Sequence, residues 1–207
     1  MYAWRSRKNM STLSVDRAQP RQYQAEGGRY FSVSQVCQVL TGDTYAYGSI
    51  EAMQRGTDLH AWFAWAVMTY AGNDAEQPDL AEDHAPYIQP IYDWLAYAKP
   101  LPIHVEEPSV CKVAGLPFAG TPDLLASVMV GEKRKIALID LKTGQPNDAH
   151  RIQVQAYANL AGYTGAEVLQ VLYISPDGFK VVTVKKSQRD WAAFQAALSV
   201  LTWRESH

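Results

Sequence analysis

Cysteine is nearly absent from this chain: Cys37 and Cys111 are the two in 207 residues, and no C-x-x-C occurs. Neither a zinc finger nor a disulfide framework can be built from that pair. No apolar run approaches the roughly 20 residues of a membrane-spanning helix. The opening stretch Met1-Tyr-Ala-Trp-Arg-Ser-Arg-Lys-Asn9 has no apolar centre like that of a secretory signal. A cytoplasmic or nucleoid location is therefore expected, with no membrane partner. No internal repeat or low-complexity tract is found, which excludes solenoid and fibrous classes. Bulk positive charge is missing too. The formal net charge of -2 does not suit a protein that coats nucleic acid electrostatically.

What the chain does have is 47% hydrophobic and 19% charged residues, enough for one sizeable core. Its charge is uneven. Arg5, Arg7, Lys8, Arg17, Arg21 and Arg29 face only Asp16 and Glu26 in residues 1–29, which reads as a basic N-terminal arm suited to phosphate contact. Asp74, Glu76, Asp79, Glu82 and Asp83 form an acidic block read as a solvated loop. Residues 30–207 are expected to make one domain.

Periodicity predicts helices over 32–40 with Ser32 as cap, 50–70, 87–98, 148–162 with Asp148 and Gly162 as caps, and 188–203. Strands are predicted near 103–111, 118–130, 135–142, 168–174 and 179–184, with a turn at Pro176-Asp-Gly178. The expected class is α/β, with a central mixed sheet flanked by helices. Trp62, Trp65 and Tyr70, at helical spacing, read as core rather than as base-stacking rings.

The chemistry concentrates between Gly120 and Tyr157. Asp140 and Lys142 stand two apart at the end of the apolar run Ile136-Ala-Leu-Ile139, so on a strand both point to one face. Asp123 precedes Leu124-Leu-Ala-Ser-Val-Met-Val130, and a hairpin turning at Gly131-Glu-Lys-Arg134 would bring it beside Asp140. Two carboxylates from adjacent strands make a hard-oxygen pocket of the kind Mg2+ or Mn2+ prefers. Hydrolysis of a phosphodiester develops charge on water, on the phosphate oxygens and on the leaving alkoxide, which a divalent ion and a neighbouring lysine can both offset. Downstream, Gln153 and Tyr157 are four apart and share a helical face. Upstream, His60 follows Gly56-Thr57 at the start of an aromatic-rich helix.

These motifs, in this order, resemble the PD-(D/E)XK nuclease superfamily and its RecB-like, Gln-x-x-x-Tyr exonuclease branch, over roughly residues 30–185. Pro122-Asp123 and Asp140-Leu141-Lys142 match the name-giving pattern. The resemblance implies a restriction-endonuclease-like core. It also implies one or two Mg2+ or Mn2+ ions held by His60, Asp123, Asp140 and the Leu141 carbonyl. Lys142 would assist the attacking water, and Gln153 and Tyr157 would position lysine and phosphate. Relatives commonly place a glutamate on the preceding strand; Glu107 is favoured over Glu106 because Val110 then follows three residues later. The pattern departs at Ala64, where many relatives carry glutamate. Some relatives hold an iron-sulfur cluster on four cysteines, which two cannot supply.

The implied activity is metal-dependent hydrolysis of DNA. An exonuclease, phage- or recombination-related and working with a recombination or helicase partner, is expected, since no separate base-reading module is visible. A structure-specific endonuclease and a non-catalytic DNA-binding or assembly subunit are the alternatives.

Overall fold

Serines standing just ahead of apolar-periodic segments set where several helices begin. The computed structural model describes residues 13–16, 22–25, 28–41, 49–113 and 115–206. Helix α1 (Val33–Thr41) opens with a capping box: Ser32 Oγ accepts from the Gln35 N–H at 3.0 Å, and Gln35 Oε1 accepts from the Ser32 N–H at 2.8 Å. Helix α2 (Ile50–Tyr70) is capped by Ser49, whose Oγ accepts from the Ala52 N–H. The acidic block is solvated as expected, in an exposed loop that runs into a short 3-10 turn (Glu82–Tyr87). Helix α3 (Ile88–Ala98) stops at Lys99, which is left-handed and precedes Pro100.

Helix α4 (Asp148–Tyr157) is shorter than its sequence pattern. Asn147, not Asp148, is the cap, its Oδ1 accepting from the His150 N–H, and the chain leaves the helix after Tyr157 in turns that pass through Gly162, φ +87, and run on to Gly165. Helix α5 (Gln188–Glu205) is capped by Ser187.

Among the described residues ten strands form two five-stranded mixed sheets flanked by helices, which is the α/β class expected, with the mixed sheet divided in two. The first sheet has order β1-β2-β3-β6-β5, from β1 (Ser14–Asp16), β2 (Gln22–Ala25), β3 (Gly28–Ser32), β5 (Ser109–Val113) and β6 (Leu116–Gly120). The second has order β10-β9-β8-β7-β4, from β4 (Leu101–Val105), β7 (Leu124–Val130), β8 (Lys133–Lys142), β9 (Val168–Ser175) and β10 (Gly178–Val184). Two predicted strands are each cut in half and shared between the sheets. Pro122 and Asp123 interrupt the run of 118–130, and a left-handed Glu106 followed two residues later by Pro108 interrupts 103–111. Part of the segment read as an arm supplies β1, β2 and the start of β3. Its basic residues Arg5, Arg7, Lys8, Arg17 and Arg21 lie outside the described residues.

Alternation along β8 and β9 divides the core. Ile139, Leu141, Leu172 and Ile174 face α2 and α3, meeting Leu59, Phe63, Trp94 and Leu95. Leu138, Leu169 and Val171 face α1, α4 and α5, meeting Val36, Val154, Phe194 and Leu198. Each such buried side chain contributes about 1.5–3 kcal/mol of apolar transfer. Trp62 is buried and meets Trp65 edge to face at 4.7 Å, whereas Tyr70 is exposed. Among the described residues no helix is long and apolar enough to cross a membrane.

Candidate active site

The β7–β8 hairpin pairs Leu124 with Ile139, which sets Asp123 beside Asp140 at the end of the sheet. Both carboxylates are buried. Asp123 Oδ2 accepts from the Leu141 N–H at 2.6 Å, and its Oδ1 lies 2.8 Å from His60 Nδ1 on α2. Asp140 Oδ2 lies 2.7 Å from Lys142 Nζ. The two residues share a face of β8, as their spacing of two requires.

These groups line one cleft of about 370 Å3 with Thr57, Thr121, Gln153 and Tyr157. Gln153 Nε2 donates to the Tyr157 hydroxyl at 3.0 Å, so the pair on α4 is locked before anything enters. Gly120 makes room for that tyrosine: a Cβ there would stand 2.6 Å from Tyr157 Cε1.

Glu107 is not part of this cluster. Its carboxylate turns to His104 Nδ1 at 2.7 Å, while Glu106 approaches His60 Nδ1 at 3.8 Å. The cause is local: β4 shifts register between Pro102 and His104, and Glu106 takes φ +49 while its N–H donates to the Asp123 carbonyl. A left-handed residue with a side chain costs about 1–2 kcal/mol, and here it turns the carboxylate towards His60.

His60, Glu106 and Asp123 offer donor atoms all within 4.8 Å of one another, a group able to hold a metal ion. Asp140 and Leu141, also expected as ligands, stand outside this trio. The Asp140 carboxylate is engaged by Lys142, and it is the Leu141 N–H, not the carbonyl expected as a ligand, that meets Asp123.

Electrostatics follow from burial opposed by pairing. Burial alone would lower the His60 pKa, but the adjoining Asp123 overrides it and holds the imidazole protonated well above its ordinary value. Burial works to raise Asp123, and His60, Lys142 and the Leu141 N–H together hold it below the usual carboxylate range. Asp140 is pushed the other way by burial, Lys142 opposing and the Asp123 charge adding to the rise. Adjacent carboxylates with divergent proton affinities are a mark of sites built for chemistry. Tyr157 is held far above its ordinary value by burial and by Asp140, so it remains a neutral hydrogen-bonding group.

Glu106 is a candidate in the sequence but ranks behind Glu107. Tyr23 on β2 escapes the sequence pattern altogether: it is almost fully buried, and its hydroxyl pairs with Thr121 Oγ1 at 3.0 Å and closes one wall of the cleft. A lone tyrosine within a polar stretch carried no signal that could have found it.

No protein-family model and no curated protein matches the chain. Among solved structures, it is similar to SSO0001, with 15% identity and a TM-score of 0.49 over 86% of this chain and 77% of that one. It is also similar to an alkaline exonuclease, LHK-Exo, from Laribacter hongkongensis, with 14% identity and a TM-score of 0.46 over 84% of this chain and 87% of that one. The complex of LHK-Exo with dAMP gives a TM-score of 0.45 at 14% identity, with the same coverage of 84% and 87%. Likeness at this level assigns neither activity nor residue roles.

Proposed function

We propose that this chain is a divalent-metal-dependent DNA nuclease of RecB-like type, acting as an exonuclease through one nuclease domain over residues 30–207. The observation that carries the reading is the joining of two halves: a His60–Glu106–Asp123 donor trio, and an Asp140–Lys142 pair 2.7 Å apart that shares one cleft with His60 and Asp123. Neither a packing core nor a surface salt bridge accounts for five charged side chains gathered where desolvation is costly.

The donor set fits a hard divalent ion, and one imidazole among carboxylates suits Mn2+ at least as well as Mg2+. His60, Glu106 and Asp123 would hold it, and Asp140 and the Leu141 carbonyl are the further ligands that the resemblance implies. Such an ion, when bound, offsets charge on the phosphate oxygens and acidifies water. His60 must first give up the proton it shares with Asp123. Lys142 is steadied by Asp140; its ammonium orients the attacking water and neutralises charge on the scissile phosphate. Tyr157, fixed by Gln153, holds the lysine's approach from the α4 side. Water adds across one P–O bond, leaving a phosphomonoester and a hydroxyl.

The test is a time course on linear single-stranded, linear duplex and closed circular DNA, labelled at either end, with Mn2+, Mg2+ or EDTA and a Lys142→Ala control. Metal-dependent loss confined to DNA with ends supports the exonuclease. Cutting of circles moves the protein to the endonuclease class, and cleavage undiminished in Lys142→Ala overturns the assigned site.

A further inference from the structure

A second, larger cleft of about 1160 Å3 opens on the α4–α5 face of the sheet, next to the cleft just described. Its connection to that cleft is written in the strand register. Lys142 on β8 pairs with Tyr173 on β9, and Tyr173 pairs with Lys180 on β10. Residues directly opposite across a sheet share a face. Lys142, Tyr173 and Lys180 therefore form one row, cation, aromatic, cation, about 10 Å long at two strand spacings. The preceding row on the same face, Asp140, Val171 and Val182, leads from a carboxylate of the site to an apolar floor.

Beyond the row stand Lys185 and Arg189, exposed, as is Lys180, with no carboxylate paired to any of the three among the described residues. The acids that line this cleft are already committed. Arg151 takes Asp190 at 2.8 and 3.2 Å and Asp148 at 3.1 Å. What remains is a cationic rim over a floor of Val171, Tyr173, Val182 and Ile152.

We infer that this groove carries a single strand of nucleic acid, which leaves the scissile phosphate at Lys142 and crosses Tyr173 to Lys180, Lys185 and Arg189. This rests on the nuclease reading of the neighbouring cleft. An aromatic between two cations serves a strand whose bases are unpaired, because only then is a base face free to meet the ring while successive phosphates meet the lysines. A duplex presents backbone and groove edges and leaves Tyr173 and the apolar floor unused.

The experiment is fluorescence anisotropy in EDTA, across a range of salt, with a labelled oligothymidylate and with a blunt duplex of equal length. The proteins are the wild type, Lys180→Gln and the triple variant Lys180→Gln/Lys185→Gln/Arg189→Gln, all exposed positions that leave the fold intact. The inference requires single-strand affinity to fall about tenfold or more in the triple variant. Its log-log salt slope should shrink by about 2, as expected for three lost phosphate contacts. Unchanged affinity and slope would overturn it, and so would a loss as large for the duplex as for the single strand. The nuclease reading is scored separately in Mn2+. If the wild type cuts DNA while the variants bind normally, the groove falls and the nuclease stands; if binding is lost as expected but no DNA is cut, the groove stands and the nuclease falls.

Discussion

Strand β8 carries four cations in two very different settings. Lys133, Arg134 and Lys135 open the strand in water, while Lys142 closes it largely buried, 2.7 Å from a carboxylate that is itself buried. The first three cost the fold almost nothing, since exposed charges keep their hydration. The fourth stands where removing charge from water costs several kcal/mol per ion before pairing returns part of it. A chain selected for stability alone would put apolar residues at both 140 and 142. The difference marks the end of the strand to which the proposed nuclease assigns its chemistry.

The sharpest way to break that comparison is to remove the buried pair. Lys142→Ala or Asp140→Ala is expected to lower metal-dependent DNA hydrolysis roughly 10^3-fold or more, read by single-turnover kinetics, while circular dichroism shows a retained fold. The same change made at Lys135 should leave the rate as it was.

Stability should move in the opposite sense. The double variant Asp140→Asn/Lys142→Met, which removes both charges together, is expected to unfold in urea at the wild-type midpoint or above it, by up to about 1–4 kcal/mol. A large loss of stability would mean that the pair holds the fold together.

Gly120→Ala tests the packing that surrounds the pair. Its Cβ has to displace Tyr157, whose ring carbons stand 2.6 and 3.0 Å away, so a loss of about 1–3 kcal/mol is expected together with a reduced turnover rate. A Gly120→Ala/Tyr157→Ala double variant should recover part of the stability and none of the turnover.

His150 gives the pH dependence. Burial first, and then the nearby Lys142 ammonium, push its pKa down from 6.5 to about 4. The unfolded chain then takes the proton before the folded one does. This contribution to stability is complete above about pH 6.5 and is lost as the pH falls towards 4. His150→Gln should flatten that limb of a stability–pH curve by about 1 kcal/mol, discounted for its partial exposure.

The smallest effect belongs to the surface. The ion pair of Arg29 with Glu205 spans 3.7 Å with both side chains about half exposed. Arg29→Ala should change the unfolding free energy obtained from a urea titration by no more than about 0.5 kcal/mol.

Much of this site was legible in the sequence because its parts are local. A spacing of two on a strand set Asp140 and Lys142 on one face, a spacing of four on a helix paired Gln153 with Tyr157, and the hairpin at Gly131 brought Asp123 alongside. Position 106 was not legible. The spacing of three to Val110 favours Glu107, and nothing in that spacing announces the register shift in β4 or the left-handed Glu106 that turn the neighbouring carboxylate towards His60 instead. The division into two sheets was hidden for a related reason: Leu116–Gly120 and Leu124–Val130 read as one apolar run, and only Pro122 hinted at the break. Tyr23 lay beyond reach, since its partner Thr121 is 98 residues away and nothing local announces such a pairing.

That Tyr23–Thr121 bond also has a consequence in time. The strands around Tyr23 leave the ribosome before their partners, since the parallel partner of β3 is β6 and the helix that closes the opposite wall ends at Tyr157. Closures over such sequence separations come late in folding. A nascent chain that has passed Asp123 but not yet Tyr157 has the trio's residues and no cleft to hold them, so assembly of the site waits on synthesis of α4.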